Sequence, residues 1–315
     1  KIIQKYKVTI FYTTPTALRM LMKFGDDIPN SFDLSSLRLL GSVGEPINPE
    51  VWKWYFKIIG KEKCPIIDTW WQTETGGLMI SALPGLETIP LKPGSGTRPI
   101  PGVIIAIVDE VGNDVPPNTK GYLVIRNPWP GMLLTLWGDD QKYRDVYWSK
   151  YPNSYYAGDY ALKDGDGYFW LLGRADDVLK VSGHRIGTAE LESCIVSHHD
   201  VAESAVCGIP DVIKGEAIIA FVVLKQSVTN NNMDKELLQK IRDDIGAIAT
   251  PKQIYFVTKL PKTRSGKIMR RLLKAIASGE TIGDVSTLED GAAVTEIQSS
   301  FKELQKSIQT ESDLT

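Results

Sequence analysis

The chain has 315 residues, which is enough for two domains with separate hydrophobic cores. Hydrophobic residues make up 43% of the chain, charged residues make up 23%, and the formal net charge is −2. This balance gives no electrostatic basis for nucleic acid or an anionic membrane as a partner. The longest apolar run, residues 217–224, is too short to cross a bilayer.

Cysteine and histidine usage points away from a metal or disulfide protein. Cys64, Cys194 and Cys207 form no Cys-x-x-Cys pair, which argues against a disulfide framework or a zinc site and favours the cytoplasm. His198 and His199 are adjacent at a predicted helix end, where we interpret them as cap and surface residues rather than ligands.

The chain begins with Lys1 rather than Met, and residues 1–6 have the pattern of a helix already under way. We therefore expect the chain to be the C-terminal portion of a longer polypeptide.

The first 92 residues predict part of an α/β domain. Apolar runs at 8–12, 37–43 and 65–69 predict buried strands, and helices are predicted at 15–23 and 49–59. Thr14 followed by Pro15 is typical of a capped helix start. Strands that alternate with helices favour a parallel sheet.

Residues 93–175 predict an antiparallel β subdomain, resembling a distorted barrel. Short β-rich runs are separated by clusters of Gly, Pro, Asn and Asp, and Asp164-Gly165-Asp166-Gly167 is typical of a hairpin turn. The predicted strands are 103–109, 122–127, 154–160 and 168–172.

Residues 176–285 predict a smaller α+β domain, and residues 286–315 a C-terminal tail. The domain's predicted helices and strands are 188–197, 201–207, 216–225, 233–248 and 253–257. In the tail, apolar residues recur at spacings of three and four, which predicts an amphipathic helix. Those residues are Val294, Ile297, Phe301, Leu304 and Ile308. We favour a helix that docks on the rest of this protein over one that binds a partner.

One turn near the C-terminus carries a candidate catalytic lysine. The segment Pro261-Lys262-Thr263-Arg264-Ser265-Gly266-Lys267 precedes a predicted amphipathic helix at 268–277. A lysine on a mobile turn can bring a compact charge to a reacting anion. The alternative is a solvated turn followed by basic helix residues.

A Gly-rich basic segment lies about ninety residues upstream. Gly173-Arg174-Ala175-Asp176-Asp177 is followed by Lys180-Val181-Ser182-Gly183-His184-Arg185. Guanidinium groups match phosphate oxygens, and glycine lets backbone approach a ligand closely, so the segment favours a phosphorylated ligand. Local ion pairs of the two arginines with Asp176, Asp177 or Glu190 are the alternative.

Two further segments follow predicted strands, where α/β enzymes place ligand-binding loops. Asp68-Thr69-Trp70-Trp71-Gln72-Thr73-Glu74-Thr75-Gly76-Gly77 is a polar run after paired tryptophans that could also be core residues. Gly41-Ser42-Val43-Gly44-Glu45-Pro46 has glycines that could admit a planar ring. No Gly-x-Gly-x-x-Gly follows a strand, so a dinucleotide oxidoreductase is unsupported.

In this order and spacing, these motifs resemble those of the AMP-forming acyl-CoA synthetases of the adenylate-forming superfamily, and among them the acetyl-CoA synthetases (acetate–CoA ligases). The resemblance covers essentially the whole chain, including Ser286-Thr287-Leu288. It implies an adenylate-forming enzyme fold whose N-terminal part is missing. It also implies the conversion of ATP, acetate and CoA to acetyl-CoA, AMP and pyrophosphate through an acetyl adenylate, with ATP/AMP, Mg²⁺ and coenzyme A as cofactors.

The resemblance implies roles for single residues at motif positions. The nucleotide-binding residues would be Gly44, Glu45, Pro46, Asp68, Thr69, Trp70, Gln72, Thr73, Asp159, Arg174 and Arg185. Val43 and Trp71 would line the acyl pocket, and Glu74 would bind Mg²⁺. Ser182, Gly183 and Arg242 would bind coenzyme A, Asp176 would be the hinge of the mobile domain, and Lys267 would bridge the acyl carboxylate and the α-phosphate during adenylation.

The family's Gly/Ser/Thr-rich phosphate loop lies upstream of the matching segment, so we expect this polypeptide alone to be inactive in adenylation. A propionate or other short-chain acyl-CoA synthetase, and a truncated non-catalytic chain that binds adenylate, stay open as alternatives. The candidate protein partners are an acetyltransferase and a deacetylase that act on Lys267, and a second copy of the chain.

Overall fold

The computed structural model describes residues 1–225, 232–263 and 267–280. The chain divides into two compact units, Lys1–Val178 and Leu179–Thr315, so the division falls two residues after the predicted hinge, Asp176. The predicted tail helix, and Arg264, Ser265 and Gly266 of the lysine turn, lie outside the described residues. The predicted boundaries at 92, 175 and 285 stay predictions.

The first unit contains a parallel sheet flanked by helices. Its strands β1 (Ile10–Thr13), β2 (Leu39–Val43) and β3 (Ile66–Thr69) pair in that order. The helices are α1 (Ile2–Tyr6), α2 (Pro15–Met22), α3 (Asp27–Asn30) and α4 (Pro49–Trp54), the last extended by a π-helical turn, Tyr55–Ile59.

The helix starts in this unit follow from their caps. Thr14 Oγ1 accepts a hydrogen bond from the Ala17 N–H at 3.3 Å, with Pro15 at the first helical position, as predicted. Asn48 caps α4 in the same way by accepting from the Glu50 N–H at 2.7 Å. The prediction that β1 is buried is wrong: its residues alternate between exposed and half-buried, because β1 is an edge strand of the described sheet.

An antiparallel sheet completes the first unit. Its strands β4 (Ile105–Val108), β5 (Lys120–Ile125), β6 (Tyr155–Lys163) and β7 (Phe169–Arg174) pair in chain order. Isolated β-bridges extend this sheet toward the first one. Phe169 of β7 pairs with Thr97, Pro99 pairs with Ile80, and Ile80 pairs with Trp70, which directly follows β3. A polar helix, α5 (Asp140–Tyr147), precedes β6 and was not predicted from the sequence.

The second unit is an α+β domain around a five-stranded sheet. The elements are β8 (Leu179–Val181), β9 (His184–Ile186), α6 (Thr188–Val196), β10 (Val201–Asp211), β11 (Gly215–Leu224), α7 (Met233–Asp244), β12 (Gln253–Phe256) and α8 (Arg270–Ala277). The sheet order is β10-β11-β8-β9, and β12 pairs with β11 in parallel.

Two predicted helix bounds in this unit are wrong. Helix α7 stops four residues short of Ile248, because Gly246 has φ 119°, outside the helical region. Helix α8 starts at Arg270 rather than Ile268, because Ile268 forms a β-bridge with Lys262. Within the described residues, no helix has the length and apolar character that crossing a membrane requires.

Candidate functional site

The loop after β3 is held in one conformation by its own hydrogen bonds. The Gln72 N–H donates to Thr75 Oγ1 at 3.0 Å, and the Thr75 hydroxyl returns a bond to the Gln72 carbonyl at 2.8 Å. Gly76 follows with φ 67°, and a Cβ at this position would lie 2.0 Å from the Gly131 carbonyl oxygen. Glycine is therefore required at this turn, and the side chains at 70, 72 and 74 project from a fixed backbone.

The centre of the site is the carboxylate of Asp159 on β6. Its Oδ2 accepts from Trp70 Nε1 and from Gln72 Nε2, each at 3.0 Å. The register of β6 and β7 places Arg174 opposite Asp159, and Arg174 Nη1 lies 3.5 Å from Oδ1. Four predicted nucleotide-binding residues from three segments of the chain thus meet at one carboxylate.

Burial and charge oppose each other at Asp159. Only 12% of its side chain is exposed, and this burial raises the pKa of the carboxyl group above its ordinary value. Arg174, with 51% of its side chain exposed, lowers it in turn, as do the bonds from Trp70 and Gln72. The arrangement is a half-open carboxylate–guanidinium pair, which suits a ligand with hydroxyl donors.

Gly158 allows this pair to form. Its φ is 69°, and a Cβ there would lie 2.5 Å from Arg174 Nη2. Arg174 also donates to the Ala157 carbonyl at 3.0 Å, so the guanidinium lies against the backbone of β6. Any larger residue at 158 would displace Arg174 from Asp159.

Glu45, after β2, is held by two residues of α2. Its Oε1 accepts from Arg19 Nη2 at 3.0 Å and from the Thr16 hydroxyl, and all three side chains are largely shielded from solvent. The preceding Gly44 has φ 96° and Pro46 is half-buried. Sequence reasoning missed Arg19, because a basic residue on the polar side of a helix does not by itself reveal a distant partner such as Glu45.

The end of β3 carries a buried acid and a hydrogen-bonded threonine. Burial raises the pKa of Asp68 to about 8, so its carboxyl group is largely neutral at pH 7. The Thr69 hydroxyl bonds with the Tyr12 hydroxyl and lies 3.1 Å from the Ser42 carbonyl oxygen. The Tyr12 ring also covers Gly41, where a Cβ would lie 2.1 Å from the ring.

The remaining predicted residues of this loop are more accessible. Trp71 is 45% exposed, Thr73 is exposed, and Val43 is half-buried at the end of β2. Glu74 Oε1 accepts from the Tyr147 hydroxyl at 2.7 Å, while Oε2 has no hydrogen bond within the described parts of the chain. A carboxylate with one oxygen fixed and one open fits Mg²⁺, which binds through one or two carboxylates plus substrate phosphates.

In the second unit, the predicted residues lie on separate elements. Ser182 (φ 49°) and Gly183 (φ 81°) form the tight turn between β8 and β9, and the Ser182 N–H donates to the Lys214 carbonyl at 2.8 Å. Arg185 is half-buried on β9, and Arg242 is exposed on α7. In the first unit, Asp176 is exposed in the 3₁₀ turn Ala175–Asp177.

Two hydrogen bonds join Lys267 to Thr263. The Thr263 N–H donates to the Lys267 carbonyl at 2.8 Å, and the Lys267 N–H donates to Thr263 Oγ1 at 3.2 Å. The adjacent Lys262 pairs with Glu203 at 2.5 Å, with both side chains mostly buried. The backbone of Lys267 is therefore held against Thr263, and the Lys267 residue is exposed.

A second group of ligand-type side chains consists of His198, His199 and Asp200. His198 Nδ1 accepts from the Asp200 N–H at 3.2 Å, so its hydrogen is on Nε2, which faces Glu236 at 3.4 Å. Neither nitrogen then offers a free lone pair, so His198 is not available as a metal ligand.

Two family models match the chain. The AMP-binding enzyme model matches residues 1–137, and the model of the C-terminal domain of AMP-binding enzymes matches residues 190–267. The chain belongs to the AMP-binding enzymes. The Trp70–Glu74 loop lies in the first matched segment, and Lys267 is the last residue of the second.

Curated relatives of this chain include proteins named acetyl-coenzyme A synthetase. That of Pyrobaculum aerophilum is 59% identical over 304 residues, which cover 96% of this chain and 45% of the relative. That of Streptomyces avermitilis is 56% identical over 301 residues, with coverages of 95% and 46%. The predicted resemblance is confirmed, and the chain spans just under half the length of these relatives.

Solved structures confirm the adenylate-forming fold. An anthranilate CoA ligase in complex with anthranoyl-AMP has a TM-score of 0.77 at 33% identity, covering 88% of this chain and 51% of its own. An amide bond synthetase from Marinactinospora thermotolerans has a TM-score of 0.75 at 23% identity, covering 88% and 54%, and supports the fold alone.

Proposed function

We propose that the protein to which this chain belongs is an AMP-forming acetate–CoA ligase. It would convert ATP, acetate and CoA to acetyl-CoA, AMP and pyrophosphate through an acetyl adenylate. The observation that carries the proposal is the meeting of Trp70, Gln72 and Arg174 at the buried carboxylate of Asp159. These residues stand at the motif positions that the acetyl-CoA synthetase resemblance assigns to the nucleotide.

Asp159 and Arg174 would hold the ribose of the nucleotide. A carboxylate that accepts from two vicinal hydroxyls gains two charge-assisted hydrogen bonds, and the half-exposed guanidinium is open to a further oxygen. Gly44, Glu45, Pro46, Asp68, Thr69 and Trp70 would surround the adenine. Because Asp68 is largely neutral at pH 7, it would add no negative charge beside an anionic nucleotide. Gln72, Thr73 and Arg185 would contact the phosphate.

Glu74 would hold Mg²⁺ through its open oxygen, with Tyr147 fixing the other. When bound, this ion would neutralise charge on the phosphate oxygens of ATP.

The adenylation step joins two anions. An acetate oxygen attacks the α-phosphorus, the bond from the α-phosphorus to the pyrophosphate oxygen breaks, and acetyl-AMP and pyrophosphate form. Catalysis then consists mainly of positioning and charge neutralisation. The Lys267 ammonium would bridge the acetate carboxylate and the α-phosphate at this step only.

The thioester step uses the same adenylate. The CoA thiolate attacks the acyl carbonyl carbon, and AMP leaves with the electron pair of the C–O bond. Ser182, Gly183 and Arg242 would bind coenzyme A, and Asp176 would be the hinge about which residues 176–285 move between the two steps. The hinge role accords with its exposed place close to the end of the first unit.

The acid would be selected by Val43 and Trp71. An indole at the wall of the acyl pocket leaves room for one or two carbons, which favours acetate and keeps propionate as the second candidate.

We also place the protein in the cytoplasm. Acetylation of the exposed Lys267 amine would act as an off switch, because it removes the charge that adenylation needs.

The test is AMP release by the full-length protein with ATP, CoA and a series of acids. Acetate should give the highest kcat/KM, propionate less, and butyrate little. Nucleotide binding without acid-dependent AMP release would favour the non-catalytic alternative. A higher kcat/KM for propionate than for acetate would make propionate the proposed substrate.

A further inference from the structure

Two tyrosines that have no assigned role contact the loop after β3. Tyr147, the last residue of α5, and Tyr155, the first residue of β6, stack with ring centroids 5.4 Å apart and planes 6° from parallel. Trp129 and Trp148 contact the Tyr155 ring edge-to-face at 5.6 and 5.9 Å. The Tyr155 ring is therefore packed against three aromatic rings and fully buried, which leaves it little freedom to rotate.

Each tyrosine hydroxyl holds one polar side chain of the loop after β3. The Tyr147 hydroxyl donates to Glu74 Oε1 at 2.7 Å, and the Tyr155 hydroxyl donates to Gln72 Oε1 at 2.8 Å.

The Tyr155 bond also sets the orientation of the Gln72 amide. With Oε1 occupied by Tyr155, the amide Nε2 must point the other way, where it donates to the Ala157 carbonyl at 2.7 Å and to Asp159 Oδ2 at 3.0 Å. Tyr155 thus acts on the central carboxylate through one intervening side chain.

Helix α5 is tied to the same loop through the backbone. The Leu133 N–H donates to the Glu74 carbonyl at 2.9 Å, and the Tyr143 hydroxyl donates to the Leu133 carbonyl at 3.0 Å. The backbone and the side chain of Glu74 are therefore both fixed with respect to α5.

We propose that the stacked pair Tyr147–Tyr155 positions the site: Tyr147 aims the Glu74 carboxylate at Mg²⁺, and Tyr155 aims the Gln72 amide at Asp159. The inference rests on the proposed function. Neither tyrosine stands at a position assigned to a substrate, so we treat both as positioning residues, and their effects should separate into metal affinity and nucleotide affinity.

The test uses Tyr147→Phe and Tyr155→Phe, which keep the stacked rings and remove one hydroxyl each. Mn²⁺ affinity is measured by electron paramagnetic resonance on full-length protein with saturating ATP and no acid. AMP affinity is measured by calorimetry without metal. Tyr151→Phe is the matched control, because this buried hydroxyl donates to the Asp109 carbonyl at 3.1 Å, outside the loop.

Tyr147→Phe should weaken Mn²⁺ binding about 10-fold, since loss of an outer-shell partner of a metal ligand has effects of this size. AMP affinity should change less than about twofold. Tyr155→Phe should weaken AMP binding about 5-fold, the order expected for one lost hydrogen bond. Tyr151→Phe should change neither constant.

A double variant makes the assignment of Tyr147 specific. In a Glu74→Gln background, Tyr147→Phe should produce little further loss of Mn²⁺ affinity, because the two side chains act as one unit. Tyr147 is half-buried, so this arm holds even if the fully buried Tyr155 variant does not fold.

Unchanged Mn²⁺ affinity in Tyr147→Phe, or an equal loss in Tyr151→Phe, would overturn the inference while leaving the proposed function standing. Wild-type protein that binds neither AMP nor Mn²⁺–ATP would overturn the proposed function, and this inference with it.

Discussion

Replacement of Asp159 by asparagine tests the centre of the site with the smallest change in volume. The variant keeps an oxygen that can accept from Trp70 and Gln72 but loses the charge. It also turns an amide N–H₂ toward Arg174 Nη1, where donor then faces donor. A hydrogen bond to a charged group contributes about 1.5–3 kcal/mol, so AMP should bind about 10–150-fold more weakly.

Stability should respond much less than binding. Removing the charge removes the desolvation penalty of the buried carboxylate, the same penalty that raises the Asp159 pKa. Arg174 loses its partner, but 51% of its side chain is exposed and can be hydrated. These two effects oppose each other, so the free energy of unfolding should change by no more than about 1 kcal/mol.

The assay is titration calorimetry of AMP with the purified chain, together with thermal melts. Asp114→Asn is the matched control, because Asp114 also pairs with an arginine, Arg126, in the same unit but outside the loop. Wild-type AMP affinity in Asp159→Asn, with the melting temperature unchanged, would refute the assignment of this carboxylate to the ribose.

Three other substitutions have distinct expected outcomes. Gly158→Ala should lower stability by about 1–3 kcal/mol and weaken AMP binding, because φ is 69° and the added Cβ would displace Arg174; wild-type values in melts and calorimetry would contradict this. Trp71→Gly in the full-length protein should shift preference toward acids of four or more carbons, at ~0.8 kcal/mol per buried methylene, and an unchanged acid series would remove Trp71 from the acyl pocket. For Asp68, burial raises the pKa in the folded state from 3.8 to about 8. Between these two pH values the folded state keeps a proton that the unfolded state has lost. The free energy of unfolding should therefore fall as the pH rises from about 4 to 8, by at most ~1.4 kcal/mol per pH unit. Asp68→Asn should remove this slope in pH-dependent melts, and an unaltered slope would assign it to other groups.

Local signals in the sequence predicted most of the first unit. The Thr14–Pro15 pair marked the start of α2, and Asp164 indeed accepts from the Asp166 and Tyr168 N–H groups at the predicted hairpin turn. Such features are readable because cap and turn residues bond within a few positions of themselves.

Helix α5 was missed because its sequence is short and strongly polar, with an apolar side made of only Tyr143, Val146 and Tyr147. It buries none of its residues, and its start depends on Asp139, whose side chain accepts from the Lys142 N–H at 3.1 Å. As a result, Tyr147 received no role from the sequence, although it holds Glu74.

The missed contacts of the candidate site are long-range. Tyr147 and Glu74 are 73 residues apart, Tyr155 and Gln72 are 83 apart, and Arg19 and Glu45 are 26 apart. Motif reading assigns the residues that would face the ligand, whereas the residues that orient them are set by sheet register and packing. A single sequence contains no direct signal for those pairings.

The two half-reactions of a Lys267→Ala variant test the central claim, an acetyl adenylate formed with the help of this lysine. In the full-length protein, acetate-dependent ATP–pyrophosphate exchange should fall by a factor of about 10²–10³, the typical cost of a preorganised charge contact. Thioester formation from supplied acetyl-AMP and CoA should stay near the wild-type rate, because Lys267 is exposed and the ion pair of Lys262 with Glu203 anchors the nearby backbone. Equal loss in both half-reactions, or full exchange activity in the variant, would contradict the account.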